Sequence, residues 1–551
     1  MKRTIKMAVF AFSLMAFCGI LLTGCPKDDP DSDTDTENKD SSTEVTIGED
    51  TLVSGTINSS ENAEGTSGSS GVMLQGFTWS SNWSSRYGSG SSGSDWYTVV
   101  SNNISDIKDN FEYIWLPPPS DSDSVNGYMP RKLNELGSDY GSSSYLISLL
   151  TTLNSNNVSP IADIVINHRV GTSNWGTFTE PSWCDDYYAI CSDDEGFSNS
   201  SSDMYGSSKT GAEDSGEGYS SARDLDHSNS AVKSGIVSWM ADYLVYNGFK
   251  GWRYDYVKGY AGQYVGYYNK QTSAAFSVGE YWPSDGFSSS SPSSWYNQLL
   301  AWVKDTNGTI NGTSGTPSRV FDFVLKGMLN TVFGSSTDFT STNDVSDGNY
   351  SLLASSYNIY ASYPGYAVTF VDNHDTGSTQ NLWAIDPYDV ATAYAFILTH
   401  PGYPCVAWNH YFTSSESCDT DSSMMYKNDS GVTTKNTDQY LGGNTVSLQN
   451  GTYNGVGTSP TLKSFIKALI ALRAEVGITD LSTVTTWSET SSTQYLAEVS
   501  GTNGSVLVSI GSSLYDSLSS NAGTSSYSEK SFSSYTLAFQ GKKFKIWYAT
   551  K

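Results

Sequence analysis

The sequence predicts an α/β protein built on a (β/α)₈ barrel, with an excursion domain after strand three and a small C-terminal antiparallel β domain. Three observations predict it. From Gly71 onward, eight short β-branched or aromatic runs alternate with stretches of helical period, as a closed parallel sheet with a helical jacket requires. Four of those runs end in charged residues, which suits strands whose bodies are buried and whose C-terminal tips carry chemistry. After Gly477 the pattern changes to alternating or apolar runs with Gly/Asn turns, the signature of antiparallel strands.

The eight expected strands are Val72–Gln75, Tyr113–Leu116, Ile161–Ile166, Gly251–Tyr256, Phe276–Tyr281, Val320–Phe323, Ala367–Val371 and Pro404–Trp408. Between them, Asp95–Lys108, Ser142–Leu153, Ala231–Tyr246 and Leu462–Val476 each carry apolar residues at helical spacing, which predicts helices with one buried face. The barrel is expected over 71–168 and 229–477, with an excursion domain at 169–228 and a C-terminal β domain at 478–551. The excursion is polar and Gly-rich, and a structureless loop of that length is unusual, so cysteines or a metal are expected to hold it. A second insert, 411–460, is rich in Asn, Thr, Gly and Ser and is expected at the substrate-facing rim.

The start of the chain reads differently. Lys2 and Arg3 precede an apolar stretch from Met7 to Leu22, which predicts a secretory signal over 1–24 that is too short for a permanent membrane span. Leu22-Thr23-Gly24-Cys25 resembles a bacterial lipobox, implying cleavage before Cys25 and lipid attachment to its sulfur. Lys27-Asp28-Asp29 resembles the short tag that sends some lipoproteins to the outer face of the outer membrane. The expected location is therefore outside the cytoplasm, lipid-anchored to the cell envelope. Residues 25–70 are Asp, Ser, Thr, Glu and Gly with almost nothing apolar, so a flexible tether is expected. The few Val and Ile residues near Val45–Val53 leave room for a strand. Cys184 with Cys191 and Cys405 with Cys418 are the locally plausible disulfides, which export would permit.

Composition bounds the partners. A net charge of −27 repels nucleic-acid phosphates. The 37 Tyr, 15 Trp and 21 Phe supply rings that stack on sugar faces as well as pack a core. No phosphate loop and no Cys–His metal cluster is present, while several acids end barrel strands. That set suits acid–base work on a neutral, oxygen-rich substrate, and sugar polymers fit best. A monomer is expected.

The charged strand ends are Asp163-Ile-Val-Ile-Asn167-His168, Gly251-Trp-Arg253-Tyr-Asp255-Tyr-Val-Lys258, Gly279-Glu280-Tyr-Trp282 and Val371-Asp-Asn-His374-Asp375. They resemble the four signature regions of the α-amylase family of glycoside hydrolases. Leu74-Gln75-Gly76-Phe77-Thr78-Trp79, Ile114-Trp-Leu-Pro-Pro-Pro-Ser120, Gly127-Tyr128-Met-Pro130 and Val368 through Gln380 resemble its plant-type subgroup. The likeness weakens in 411–460.

The resemblance implies roles. Asp255 is the nucleophile, Glu280 the general acid/base, and Asp375 the carboxylate that favours the oxocarbenium-like transition state. His374 and His168 contact sugar hydroxyls, Tyr128 stacks on the sugar at the cleavage point, and Lys258 lies on the leaving-group side. Arg253, two residues before Asp255 and on the same side of the strand, is expected to hold that carboxylate ionised. Glu280 is expected to have a raised pKa from desolvation and the Asp255 charge. Asp163 is expected to be structural. Calcium is implied too, held by Asn167, Asp194, Asp214 and carbonyls at Gly259 and near Phe197, although the segment Glu195–Thr210 is longer than the family pattern. Hard oxygen donors from separate loops suit that ion. The expected activity is endo-acting, retaining hydrolysis of α-1,4-glucans. The alternatives are a related α-glucan transglycosylase and a non-catalytic surface glycan-binding lipoprotein.

Overall fold

The computed structural model describes residues 44–82, 95–172, 175–183, 186–195, 211–334, 348–380, 382–419, 425–427, 433–435, 441–516 and 535–551. Eight parallel strands close into a barrel. In chain order they are Met73–Gln75, Tyr113–Leu116, Ser159–Ile164, Gly251–Tyr254, Phe276–Gly279, Arg319–Phe321, Ala367–Phe370 and Tyr403–Ala407, the eighth pairing back to the first. Each overlaps an expected strand, because continuous apolar runs bounded by polar turns leave few other ways to bury both faces. Their residues are almost entirely buried. Trp115, Trp252, Tyr254, Phe321 and Phe370 fill the inside and the helix-facing side.

The helices follow the expected periods with two differences. The first breaks at Asn103 into Trp96–Asn102 and Ile104–Asn110. Asn103 Nδ2 back-bonds to the carbonyl of Val99 at 2.9 Å and to that of Glu416 at 2.8 Å, and such side-chain bonds compete with the helix ladder. The third is α-helical over Ser230–Ser238 and continues as a π-helix over Trp239–Val245. Leu462–Val476 forms one helix over the expected span, closed by Gly477 in a left-handed conformation at φ 74°, which a glycine adopts without penalty.

Three expectations need correction. The expected flexible tether over 25–70 does not extend through residue 44 and beyond. Glu44–Ile47 and Asp50–Val53 form an antiparallel hairpin, which pairs with Thr309–Ile310 and that strand with Thr313–Ser314 in a four-stranded sheet. Leu52 is buried, and Asp50 forms an ion pair with Lys233. A segment too polar to build a core has borrowed one from the barrel's flank. Residues before 44, with Cys25, lie outside the described residues.

The insert 411–460 is not a single rim excursion. Its start is tied to the helical jacket, where Thr413 N and Oγ1 both donate to Glu416 Oε2 at 2.8 Å and Lys463 pairs with Glu416 and Asp106. Its end, Leu448–Gly451, is the edge strand of the C-terminal sheet. That sheet has six antiparallel strands, the other five being Thr483–Thr486, Gln494–Ser500, Gly504–Gly511, Thr536–Gly541 and Phe544–Thr550.

The Cys405–Cys418 disulfide is absent. Cys405 is a buried thiol within the eighth barrel strand, paired on either side to Phe370 and Met73, and burial pushes its thiol pKa up. Cys418 is also a free thiol. Cys191 is free and buried, and Cys184 lies outside the described residues. The described neck of the excursion is a two-residue ladder, His168 opposite Asp224 and Arg169 opposite Arg223.

Candidate active site

The rim is organised around Arg253. It sits on the fourth strand opposite Asp163 of the third and Val278 of the fifth. Strand alternation places Asp255 on the same side, two residues on. The guanidinium is fully buried, and three carboxylates close on it. Asp163 Oδ1 lies 2.8 Å and Asp255 Oδ1 2.7 Å from Nη1, and Glu280 Oε1 lies 2.8 Å from Nη2. Glu280 is in ion-pair contact without a well-directed hydrogen bond. The rings of Trp115 and Tyr128 flank the guanidinium carbon at 4.8 and 5.9 Å, a favourable place for a weakly hydrated cation.

More negative charge surrounds this point than one cation can neutralise. Burial pushes Asp255 up to about 6 against the opposing pull of Arg253. Burial also raises Glu280, with Arg253 opposing and the Asp255 charge adding to the rise. Asp375 is raised well above the usual carboxylate range by burial and then by the Glu280 charge. One carboxyl kept protonated beside one ionised is the division of labour that acid-plus-nucleophile chemistry needs.

The seventh strand delivers His374 and Asp375. Gln75 Nε2 lies 2.9 Å from His374 Nδ1, and Tyr128 Oη lies 2.8 Å from His374 Nε2. Tyr128 donates in turn to Asp163 Oδ2 at 2.9 Å. The tautomer consistent with these partners is neutral with the proton on Nε2, and burial holds the His374 pKa well below its ordinary value. That Nε2 also lies 3.3 Å from Asp375 Oδ2. Trp79, Tyr128 and His374 form a ring stack, with Trp79 and Tyr128 centroids 6.0 Å apart and 6° from parallel.

The remaining expected residues are also near the rim. His168 Nε2 is tied to the Tyr128 carbonyl at 2.8 Å, and Tyr219 of the excursion stacks on its ring at 3.9 Å. Lys258 Nζ donates to Ser284 Oγ at 2.6 Å and lies 5.0 Å from the Tyr256 ring centroid. Tyr256, immediately after Asp255, adopts a left-handed backbone at φ 46°, uncommon for a residue with a side chain. Its N–H is 3.4 Å from Glu280 Oε2.

Sequence reasoning gave no role to Gln75, Trp79, Tyr219 and Gln380. Gln380 Nε2 donates to Asp375 Oδ1 at 2.8 Å. Gln75, Trp79 and Gln380 lay inside quoted motifs, but an amide or indole at a strand end carries no pattern of its own. Tyr219 had no signal, being in a loop whose path the sequence does not dictate.

A family model for the α-amylase catalytic domain matches residues 95–294. The chain is 33% identical over 357 residues to probable α-amylase 2 of Arabidopsis thaliana, covering 62% of this chain and 75% of that protein. The chain belongs to the α-amylase family. It is 31% identical over 367 residues to the chloroplastic α-amylase 3 of the same plant, covering 64% of this chain but only 37% of that longer protein. Among solved structures, the α-amylase of Geobacillus thermoleovorans in complex with acarbose superposes with a TM-score of 0.54 at 14% identity, covering 88% of this chain and 98% of that one, which shows the shared fold. This α-amylase family member is a glycoside hydrolase.

Beside the neck of its excursion the enzyme holds a second cluster of acids. Ligand oxygens of Asp194, Glu195 and Asp224 lie within 4.8 Å of one another. Asn167 Nδ2 donates to Asp224 Oδ1 at 3.1 Å, while Asn167 Oδ1 is buried without a hydrogen-bond partner, as is Asp214 Oδ2. Gly259 lies against the same oxygen, since a Cβ there would stand 2.0 Å from Asn167 Oδ1. Burial, with neighbouring carboxylates adding, pushes Asp224 up to about 8 and Asp214 up to about 7. Orphaned buried oxygens among crowded acids are a donor set that fits a hard divalent cation. Asp194 is less free than the sequence implied, because Arg223 Nη1 binds its Oδ2 at 2.5 Å. Asp224 and Glu195 join the cluster instead, while Phe197 lies outside the described residues.

Proposed function

We propose that this enzyme cleaves internal α-1,4 links of starch-like glucans with retention of configuration, through a covalent glycosyl-enzyme intermediate. The observation that carries this reading is that Asp255 and Glu280 are pinned to one guanidinium, at 2.7 Å from Nη1 and 2.8 Å from Nη2 of Arg253. A close carboxyl pair suits a nucleophile and an acid, whereas inversion needs a wider gap to seat water.

Asp255, its carboxylate turned by Arg253, attacks the anomeric carbon. Glu280, kept protonated by burial, gives its proton to the departing glycosidic oxygen and then takes one from the water that opens the ester. Asp375 and His374 hold the ring hydroxyls on the opposite side, and the Trp79–Tyr128 stack offers a flat face to the sugar. Lys258 lies on the leaving-group side. His168, its Nε2 engaged by Tyr128, orders the base of the pocket and carries Tyr219 above it. Asn167, Asp194, Glu195, Asp214, Asp224 and the Gly259 backbone would hold calcium, which supplies positive charge that ties the excursion to the barrel.

The test is product anomer analysis. Digestion of a malto-oligosaccharide followed by NMR should show the α-anomer first, with reducing ends released from soluble starch. Initial β-anomer overturns the retaining assignment, and no release of reducing ends overturns hydrolysis. A lipid anchor to the cell envelope is proposed from Leu22-Thr23-Gly24-Cys25. Replacing Cys25 with Ala should move the protein from the membrane to the soluble fraction.

A further inference from the structure

Behind the rim lies a buried cation that the catalytic reading does not use. Lys326 is on the helix Phe323–Phe333, which follows the sixth barrel strand and is N-capped by Asp322 through Leu325 N at 2.9 Å. Its side chain is fully buried. Nζ donates to the Val371 carbonyl at 2.8 Å and to Asp372 Oδ1 at 2.6 Å. Val371 follows the seventh barrel strand directly, and Asp372 opens the loop that carries His374 and Asp375.

Asp372 gathers that loop. It accepts from Thr376 Oγ1 at 3.2 Å and from Ile385 N at 3.3 Å, and His410 Nε2 stands 3.8 Å away. Thr376 Oγ1 accepts from Asn373 N at 3.0 Å. Asn373 Oδ1 accepts from the amides of Asp375 at 3.0 Å and Thr376 at 2.9 Å. Residues 372–376 are thus closed upon themselves and moored to a single lysine, which also holds the strand end they leave. A buried ion pair is often replaceable by apolar groups at no loss of stability, so stability alone does not explain a lysine here. Precise placement of the two residues it moors does.

We propose that Lys326, acting through Asp372, is a positioning residue that holds His374 and Asp375 against the reacting sugar. This rests on the role assigned to Asp375 above. The enzyme has no other described cation in contact with this loop's carboxylate apart from His410, whose pKa burial lowers to about 4.

The test is the K326M/D372N double variant, which removes both charges together and keeps side-chain shape. A thermal melt establishes that it is folded. Its kcat on a malto-oligosaccharide should fall about 100-fold, as expected when reacting groups are misplaced by about 1 Å. Affinity for the same sugar, measured by calorimetry with D255N added to both proteins, should change by less than about threefold. Thr376→Val, uncharged and nearly the same shape, should lose about 10-fold in kcat at temperatures where its melt shows it fully folded, even though the orphaned Asn373 N–H lowers its melting temperature. It decides the matter if the double variant does not fold. Folded variants with kcat within about twofold of wild type overturn the proposal, as does activity that falls only in step with the folded fraction. Asp375→Asn is assayed alongside. If it keeps activity, the Asp375 assignment falls and takes this proposal with it. If it is inactive while the folded Lys326 and Thr376 variants are not, only the positioning role falls.

Discussion

Asp163 and Arg253 face one another across the third and fourth barrel strands, carboxylate to guanidinium at 2.8 Å, both fully buried. This pair takes part of the positive field of Arg253 away from Asp255. Burial pushes Asp255 up to about 6 against the pull of Arg253, and the Asp163 charge adds to the rise.

It follows that Asp163→Asn should shift the acid limb of the kcat/KM profile to lower pH. Arg253 is then shared between two acids, and Asp255 ionises more easily. A limb that stays in place or moves up would show that Asp163 does not set the nucleophile's charge.

In the wild type, turnover should fall as pH drops through about 6, where Asp255 takes up a proton, and again at higher pH as Glu280 loses its own. The linked stability has the opposite direction. Because the folded pKa of Asp255 is raised above the ordinary 3.8, its contribution is fully present below about 4 and is lost as pH rises to about 6. A pH series of melts beside the rate profile separates the two effects.

Replacing Glu280 and Asp255 should give different signatures. Asp255→Asn should reduce kcat by roughly 10⁴-fold or more while leaving glucan binding intact. Glu280→Gln should cost about 10²–10⁴-fold on starch and much less on an aryl glycoside whose leaving group needs no proton. Equal losses on both substrates would remove Glu280 from the acid role.

Chelation should lower the melting temperature and activity together, and added calcium should restore both. At free calcium one hundred times its dissociation constant, linkage stabilises the fold by about 2.7 kcal/mol. Asp224→Asn should abolish the calcium-dependent part of the melting shift. A melting curve indifferent to chelator would remove the ion without touching the carboxylate assignments.

The hairpin at Glu44–Val53 should matter to stability and not to chemistry. Asp50→Ala strips Lys233 of its ion-pair partner and Asn311 of a 2.9 Å acceptor. Breaking such a pair costs about 3 kcal/mol where solvent screening is modest. Urea unfolding should show that loss with kcat unchanged. A variant as stable as wild type would mean that the hairpin only rests on the barrel.

Much of this was legible beforehand for specific reasons. The eight barrel strands announce themselves because each is buried on both faces, so apolar runs such as Tyr113–Leu116 and Ala367–Phe370 have no competing pattern. The charged ends at Arg253, Asp255, Glu280 and Asp375 stand out against those runs. Leu448–Gly451 fell inside the stretch expected to be a rim insert, because an edge strand of an antiparallel sheet carries a weaker alternation. The hairpin near Val45–Val53 looked like tether because its apolar partners lie more than 250 residues away.

The sequence by itself determined the barrel, the order of its strands and which acids end them, since these follow from local burial patterns and chain order. Only the tertiary structure decided that Arg253 gathers three carboxylates, that Asp224 and Glu195 join Asp194 by the excursion neck, and that Lys326 moors the loop of Asp375. Each of those depends on distances between residues far apart in the chain, and a distance of that kind is set by how the whole barrel closes.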